Sequence, residues 1–298
     1  MRFTKMQGLG NDYVYVNGFE EKVPDGPSWA RKLSDRHFGV GGDGLIIIQP
    51  PSTSGADCRM EMYNADGSRA QMCGNGIRCV AKYVFDRGIV MNPQIRIETD
   101  AGLKTLRVEA GKDGKAAEIE VNMGAPALAR ASVPFRDGGD PRAPAIRVPM
   151  DVAGRTFLVT AVSMGNPHAV IRVDDGSPAP ALADLPLEDW GPRFEHHPWF
   201  PERTNTEFIT VRSPSEIDFR VWERGSGETL ACGTGACAAV VACVLNGWCG
   251  REVLVHLRGG ELRIRWEEAA GNTPAAGGGS VFMTGPAVEV FSGQWNGE

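Results

Sequence analysis

The chain has 298 residues and a formal net charge of −6 with no basic block, which argues against a nucleic-acid partner. No apolar run approaches the roughly 20 residues of a membrane-spanning helix, and residues 1–5 do not open a secretory leader, so a soluble cytoplasmic protein is expected. Glycine takes 38 positions, about 13% of the chain against an ordinary ~7%, which favours turns and short strands over long helices.

Short β-like runs fill the first 120 residues. Residues 2–7 and 13–17 flank the turn Gly8-Leu9-Gly10-Asn11-Asp12, and residues 45–49 and 58–63 follow. Met72-Cys73-Gly74-Asn75-Gly76-Ile77-Arg78-Cys79-Val80-Ala81 then joins a cysteine to a Gly-x-Gly turn and an apolar run. The spacing predicts a helix that stops near Gly88, fifteen residues past Cys73. Runs at 95–99, 103–109 and 117–121 read as an antiparallel meander.

The second half repeats the order. Residues 157–162 and 169–173 flank Ser163-Met164-Gly165-Asn166-Pro167-His168, and 207–211 and 218–222 precede Ala231-Cys232-Gly233-Thr234-Gly235-Ala236-Cys237-Ala238-Ala239-Val240. That run predicts a second helix stopping near Gly247, again fifteen residues past its cysteine. Residues 253–257 and 261–266 form a hairpin with Gly259-Gly260 as its turn. Residues 125–149 and 174–186 read as linkers, and 268–280 as a low-complexity loop without chemistry.

Offsets support duplication. Asn64 precedes Cys73 by nine residues, as Glu223 precedes Cys232. Gly10-Asn11 is echoed by Gly165-Asn166, and Met123-Gly124-Ala125-Pro126 by Met283-Thr284-Gly285-Pro286-Ala287. The expected fold is α+β: two pseudo-symmetric domains, each a curved, mostly antiparallel sheet wrapped around an apolar central helix. The expected boundaries are 1–125, rejoined by 284–298, and 126–283.

Seven cysteines form an odd set with no CxxC, and the five histidines lack HExxH or HxxxH spacing, so neither a disulfide framework nor a metal site is expected. Five cysteines read as packing residues. Cys73 and Cys232 differ because each opens a helix, where backbone N–H groups and the helix dipole favour an anion and lower a thiol pKa. Two such thiols facing each other across a domain cleft suit proton removal from one face of a carbon and return to the other. Positioned acid–base groups contribute roughly 10²–10⁴-fold each. Backbone N–H groups of Gly74, Asn75, Gly233 and Thr234 would hold an α-carboxylate as charge builds on it. The glycine-rich turns lack the lysine and hydroxyl of a phosphate loop.

Six ordered motifs carry a resemblance. They are Lys5-Met6-Gln7-Gly8-Leu9-Gly10-Asn11-Asp12, Met62-Tyr63-Asn64-Ala65-Asp66-Gly67-Ser68, the Cys73 motif, Gly165-Asn166-Pro167-His168, Arg203-Thr204-Asn205-Thr206-Glu207-Phe208, and Trp222-Glu223-Arg224-Gly225-Ser226-Gly227-Glu228-Thr229 running into the Cys232 motif. Over essentially its whole length the chain resembles the diaminopimelate epimerase family. The resemblance implies an isomerase that interconverts LL- and meso-2,6-diaminopimelate without a cofactor, on the route to lysine and peptidoglycan, and a homodimer. By position, Cys73 and Cys232 resemble the catalytic thiols, with His168 and Glu223 as the polar pair supporting them. Gly74, Asn75, Gly233 and Thr234 resemble the α-carboxylate site. Asn11, Asn64, Asn166, Asn205 and Arg224 resemble the set that recognises the distal amino acid end, where an arginine can fork onto a carboxylate. Gly44 stands where some members carry glutamine.

Two alternatives remain. A proline or hydroxyproline racemase shares the two-thiol logic but offers nothing for Arg224 and the asparagines to hold. A thiol–disulfide redox protein would need its thiols close in sequence or strongly exposed. No pyridoxal phosphate is expected, since the thiol pair supplies both proton carriers.

Overall fold

Gly8 folds the first two runs back on each other. Strand β1 (Arg2–Gly8) pairs antiparallel with β2 (Asn11–Asn17), Gly8 opposite Asn11, and the turn residues Leu9 and Gly10 take φ of 58° and 84°. Both angles lie in the left-handed region that matches the twist of a two-residue hairpin. The computed structural model describes residues 1–176, 180–268 and 278–296, and the chain divides into two units: Met1–Asn122 with Thr284–Glu298, and Met123–Met283.

In the first unit, β2 leads through helix α1 (Gly26–Ser34) to β3 (Gly44–Gln49), which lies parallel to β2. Helix α1 was not anticipated, yet its signal is local: Asp25 caps it by accepting from the Ser28 N–H at 3.2 Å, and Pro27 sits in its first turn. Strand β4 (Cys58–Asn64) runs antiparallel to β3, with the short β5 (Arg69–Ala70) folded onto it. Helix α2 (Gly74–Asp86) follows, then the meander β6 (Gln94–Thr99), β7 (Gly102–Ala110) and β8 (Ala116–Gly124), with β6 parallel to β4. Phe3, Val14, Leu33, Leu45 and Ile47 pack with Tyr63 into one cluster of this unit.

The second unit contains β9 (Ala145–Val152), β10 (Arg155–Ser163), β11 (Pro167–Arg172), α3 (Leu187–Glu195), β12 (Asn205–Ser213), β13 (Glu216–Glu223), β14 (Gly227–Glu228), α4 (Gly233–Leu245), β15 (Glu252–Leu257) and β16 (Gly260–Trp266). Strand β17 (Val281–Gly285) ends it, and β18 (Val288–Gln294) returns antiparallel to β1 in the first unit. Residues 236–243 of α4 are buried throughout, and each valine there contributes roughly 1.5–3 kcal/mol through its removal from water. Phe157, Phe194 and Phe208 meet edge to face at centroid distances of 5.1 and 5.4 Å in the core of this unit.

The duplication extends to strand register. Tyr13 faces Gly44 across a parallel pair as His168 faces Asn205, and Ile46 faces Met62 across an antiparallel pair as Glu207 faces Val221. Cys58 opposes Ile97 as Ile217 opposes Val255. Gly88 and Gly247, at φ 67° and 68°, lie just past the two helices, where only glycine takes the left-handed turn without strain.

Three local expectations are corrected. The hairpin turn is Arg258-Gly259, because Gly260 already pairs with Leu257 in the ladder. Residues 125–149 are more than a linker: Leu128, Val133 and Phe135 are buried, and β9 begins at Ala145. Residues 174–186 hold a 3-10 turn, Leu182–Asp184, with Leu182 and Leu185 buried. The low-complexity stretch falls largely outside the described residues. Among the described residues, no helix is long and apolar enough to cross a membrane.

Candidate active site

Each cysteine is the N-cap of its helix. Cys73 precedes α2 with φ −134° and ψ 122°, and Cys232 precedes α4 with φ −119° and ψ 111°. This extended backbone turns the side chain toward the first turn, whose N–H groups have no intrahelical acceptor.

In the first unit, Cys73 Sγ accepts from the Gly76 N–H at 3.3 Å and donates to Asn11 Oδ1 at 3.2 Å. Asn11 donates its amide to Asp43 Oδ2 at 2.8 Å, so Asn11 sits against the thiol. Asp43 also accepts from the Asp12 N–H and from Arg36. The fully buried Arg78 donates to Gly74 O and Asn75 Oδ1, clamping the turn that offers the Gly74 and Asn75 N–H groups. Asn64 closes β4 and donates to Ser68 Oγ at 3.0 Å. A side chain at Gly44 has no room, since a Cβ would stand 2.1 Å from Tyr63 O.

In the second unit, Cys232 Sγ and Thr234 Oγ1 are 3.5 Å apart, and Asn166 donates to the same hydroxyl at 3.5 Å. Asn166 Oδ1 meets His168 Nε2 at 3.0 Å, and His168 Nδ1 meets Glu207 Oε1 at 2.7 Å. Both His168 and Glu207 are fully buried. His168 therefore leans on Glu207, while Glu223 accepts from the Thr229 hydroxyl. Asn205 is held by backbone at both ends: it donates to Pro167 O and accepts from the Arg224 N–H at 2.9 Å. It thereby shapes the Arg224 turn, and the Arg224 guanidinium donates to Glu202 O.

The sequence reading gave no role to Glu207 or Glu195. Its place inside the motif Arg203-Thr204-Asn205-Thr206-Glu207-Phe208 was the available signal for Glu207. Glu195 ends α3 and accepts from Trp222 Nε1 at 2.7 Å, from Arg203 at 3.0 Å and from the Gly225 N–H at 3.0 Å, bracing the turn that carries Glu223 and Arg224. Its signal lay in spacing too distant along the chain to read.

The expected lowering of the Cys232 thiol pKa is corrected. Burial pushes it well above the ordinary value, and Glu223 and Glu207 push the same way; the Thr234 hydroxyl and the Gly235 N–H oppose them and lose. Burial raises Glu207 as well, against the pull of His168. Cys58 and Cys79 are pushed up to about 12 and about 11 by burial, consistent with packing roles. Among the described residues no group of three or more His, Cys, Asp or Glu is placed to hold a metal.

The arrangement offers a thiol, helix N–H donors and a polar support in each unit, which is equipment for acid–base chemistry. The sequence model of diaminopimelate epimerases matches residues 3–129 and 160–290. The chain is 53% identical to the diaminopimelate epimerase of Desulfovibrio desulfuricans over 99% of this chain and 98% of that one. It is 51% identical to that of Acetivibrio thermocellus, with the same coverage. Among solved structures, a PhzF-family phenazine biosynthesis protein of Bacillus anthracis superposes with a TM-score of 0.67 at 16% identity, covering 98% of both chains. A probable proline racemase of Agrobacterium radiobacter also gives 0.67 at 16% identity, covering 100% of this chain and 93% of that one. At such identities these two structures establish the fold, a sheet-dominated α+β architecture, while the close relatives establish the lineage: the chain belongs to the diaminopimelate epimerase family.

Proposed function

We propose that the protein is an isomerase, a diaminopimelate epimerase, which interconverts the LL and meso forms by moving the Cα proton between Cys73 and Cys232. The family assignment supports the substrate. The carrying observation is that two cysteines cap two helices at equivalent places in a duplicated fold. One thiolate removes the proton from one face of Cα while the other thiol supplies a proton to the opposite face, and the roles exchange with substrate handedness. Gly74, Asn75, Gly233 and Thr234 hold the α-carboxylate through helix N–H groups, where developing negative charge is stabilised. Asn11, Asn64, Asn166, Asn205 and Arg224 serve recognition, and His168 and Glu223 support the second thiol. We further propose that the enzyme acts as a cytoplasmic homodimer in lysine and peptidoglycan precursor synthesis.

The test is solvent deuterium incorporation at Cα, followed by mass spectrometry with LL-diaminopimelate and, separately, L-proline. Incorporation into diaminopimelate alone, lost in both Cys73→Ala and Cys232→Ala, is the expected result. Exchange of proline, or full epimerisation by either variant, would overturn the reading.

A further inference from the structure

Among the differences between the two half-sites, one strand position lies directly beneath the cysteine-capped turns. Ile46 of β3 pairs with Tyr15 on one side and Met62 on the other; Glu207 holds the equivalent place in β12, between Val170 and Val221. The exchange shows under the first turn of each helix. A Cβ added to Gly76 would meet Ile46 Cδ1 at 2.8 Å and Met60 Cε at 3.3 Å. A Cβ added to Gly235 would meet Glu207 Oε1 at 2.8 Å, Cys232 Sγ at 3.2 Å and the Phe219 ring at 3.2 Å. One floor is apolar, and the other carries a carboxylate beside its cysteine.

That carboxylate is closed off from water. One oxygen meets His168, and the other, Oε2, is buried with no hydrogen-bond partner. A carboxylate so placed opposes a second negative charge nearby. We propose that Glu207 makes the thiol pair unequal: it is a positioning residue that keeps Cys232 protonated in the substrate-free enzyme, leaving Cys73 to begin as the base.

The groups around Cys232 set the balance. Glu223 at the end of β13 adds charge of the same sign. His168 on β11 presents Nδ1 to Glu207 Oε1 and Nε2 to Asn166 Oδ1, and its pull on Glu207 offsets part of that charge. On α4, the Thr234 hydroxyl and the Gly235 N–H favour the thiolate; burial opposes it most, followed by Glu223 and then Glu207. The carboxylates and burial prevail.

This inference rests on the two-thiol reading for its meaning in catalysis, but its test needs no substrate. Each cysteine of the substrate-free protein is alkylated with iodoacetamide across a pH series, and the peptides carrying Cys73 and Cys232 are quantified separately. In the wild type, the midpoint for Cys232 should lie above the ~8.5 of free cysteine. In Glu207→Gln it should fall by about one unit, giving about tenfold more thiolate at a fixed pH below it, with the Cys73 midpoint unmoved. A merely structural role would lower the melting temperature without moving that midpoint. An unmoved Cys232 midpoint in a folded Gln variant overturns the proposal, as does a wild-type midpoint at or below that of free cysteine. If the Gln variant does not fold, Glu207→Asp, which draws the charge back from the Gly235 turn, carries the same comparison: a Cys232 midpoint below the wild-type value supports the proposal and an unmoved one overturns it. Absence of deuterium exchange into diaminopimelate would sink the proposed activity and leave these midpoints standing.

Discussion

Asp43 decides which end of the Asn11 amide meets Cys73. A carboxylate only accepts, so Asp43 Oδ2 takes the Asn11 N–H at 2.8 Å and turns the amide oxygen toward the thiol, 3.2 Å away. Asp43→Ala frees the amide to rotate. Steady-state kinetics should show kcat about tenfold lower, since small misplacements near reacting groups are costly. Turnover equal to the wild type would remove Asp43 from the catalytic support.

Gly235 and Gly247 separate two uses of glycine on one helix. At Gly247 a Cβ meets nothing within 4 Å, but φ is 68°. Gly247→Ala should therefore cost about 1–2 kcal/mol of stability and leave turnover intact. At Gly235 the Cβ collides with Glu207 and crowds Cys232. Gly235→Ala should cost roughly 1–3 kcal/mol through overpacking and also abolish most turnover. Urea unfolding with parallel kcat measurements checks both; a fully active Gly235→Ala would show that the floor can yield.

Asp12 gives the first unit an acid limit. Burial alone would raise its pKa, but Arg36 and Lys5 win and hold it below the ordinary aspartate value. A carboxylate depressed in the folded state stabilises above its unfolded pKa of about 3.9, and the contribution disappears as pH falls through the lower folded value. Lys5→Met should remove roughly 1–3 kcal/mol at neutral pH. It should also narrow the stability lost between pH 5 and 2, because less of the depression remains. Unfolding free energies across that range would show it; equal acid sensitivity in both proteins would contradict the assignment.

Glu195 tests how firmly the Arg224 turn must be held. Three donors converge on this buried carboxylate. Glu195→Gln turns an N–H toward one of them and leaves a buried donor unpaired, at about 1–3 kcal/mol. Because the turn serves recognition in the proposed function, KM should rise more than kcat falls. A lowered kcat with KM unchanged would place the effect elsewhere.

Both central helices were legible because local chemistry marks their ends: a cysteine with Gly-x-Gly at the start and a left-handed glycine after the finish. The duplication was legible too, since residue offsets survive in sequence as register survives in the sheets. What could not be read was whatever depends on three-dimensional neighbours. Strand β9 hides in a proline-rich segment and is recruited by its pairing with β10. Helix dipoles favour a thiolate at Cys232, but the burial and carboxylates that reverse the balance come from other elements. Glu207 looked like one letter of a motif until its strand position placed it against His168 and under Gly235.

The most direct measurement of the account is a disulfide test between the two cysteines. Mild oxidation with diamide, which takes up the two hydrogens, should link Cys73 to Cys232, lower the intact mass by two hydrogens and stop turnover, and dithiothreitol should restore both. A single cross-linked peptide joining the Cys73 and Cys232 segments is the predicted result. An oxidised, inactive protein lacking that link would contradict the claim that the two sulfurs serve one carbon.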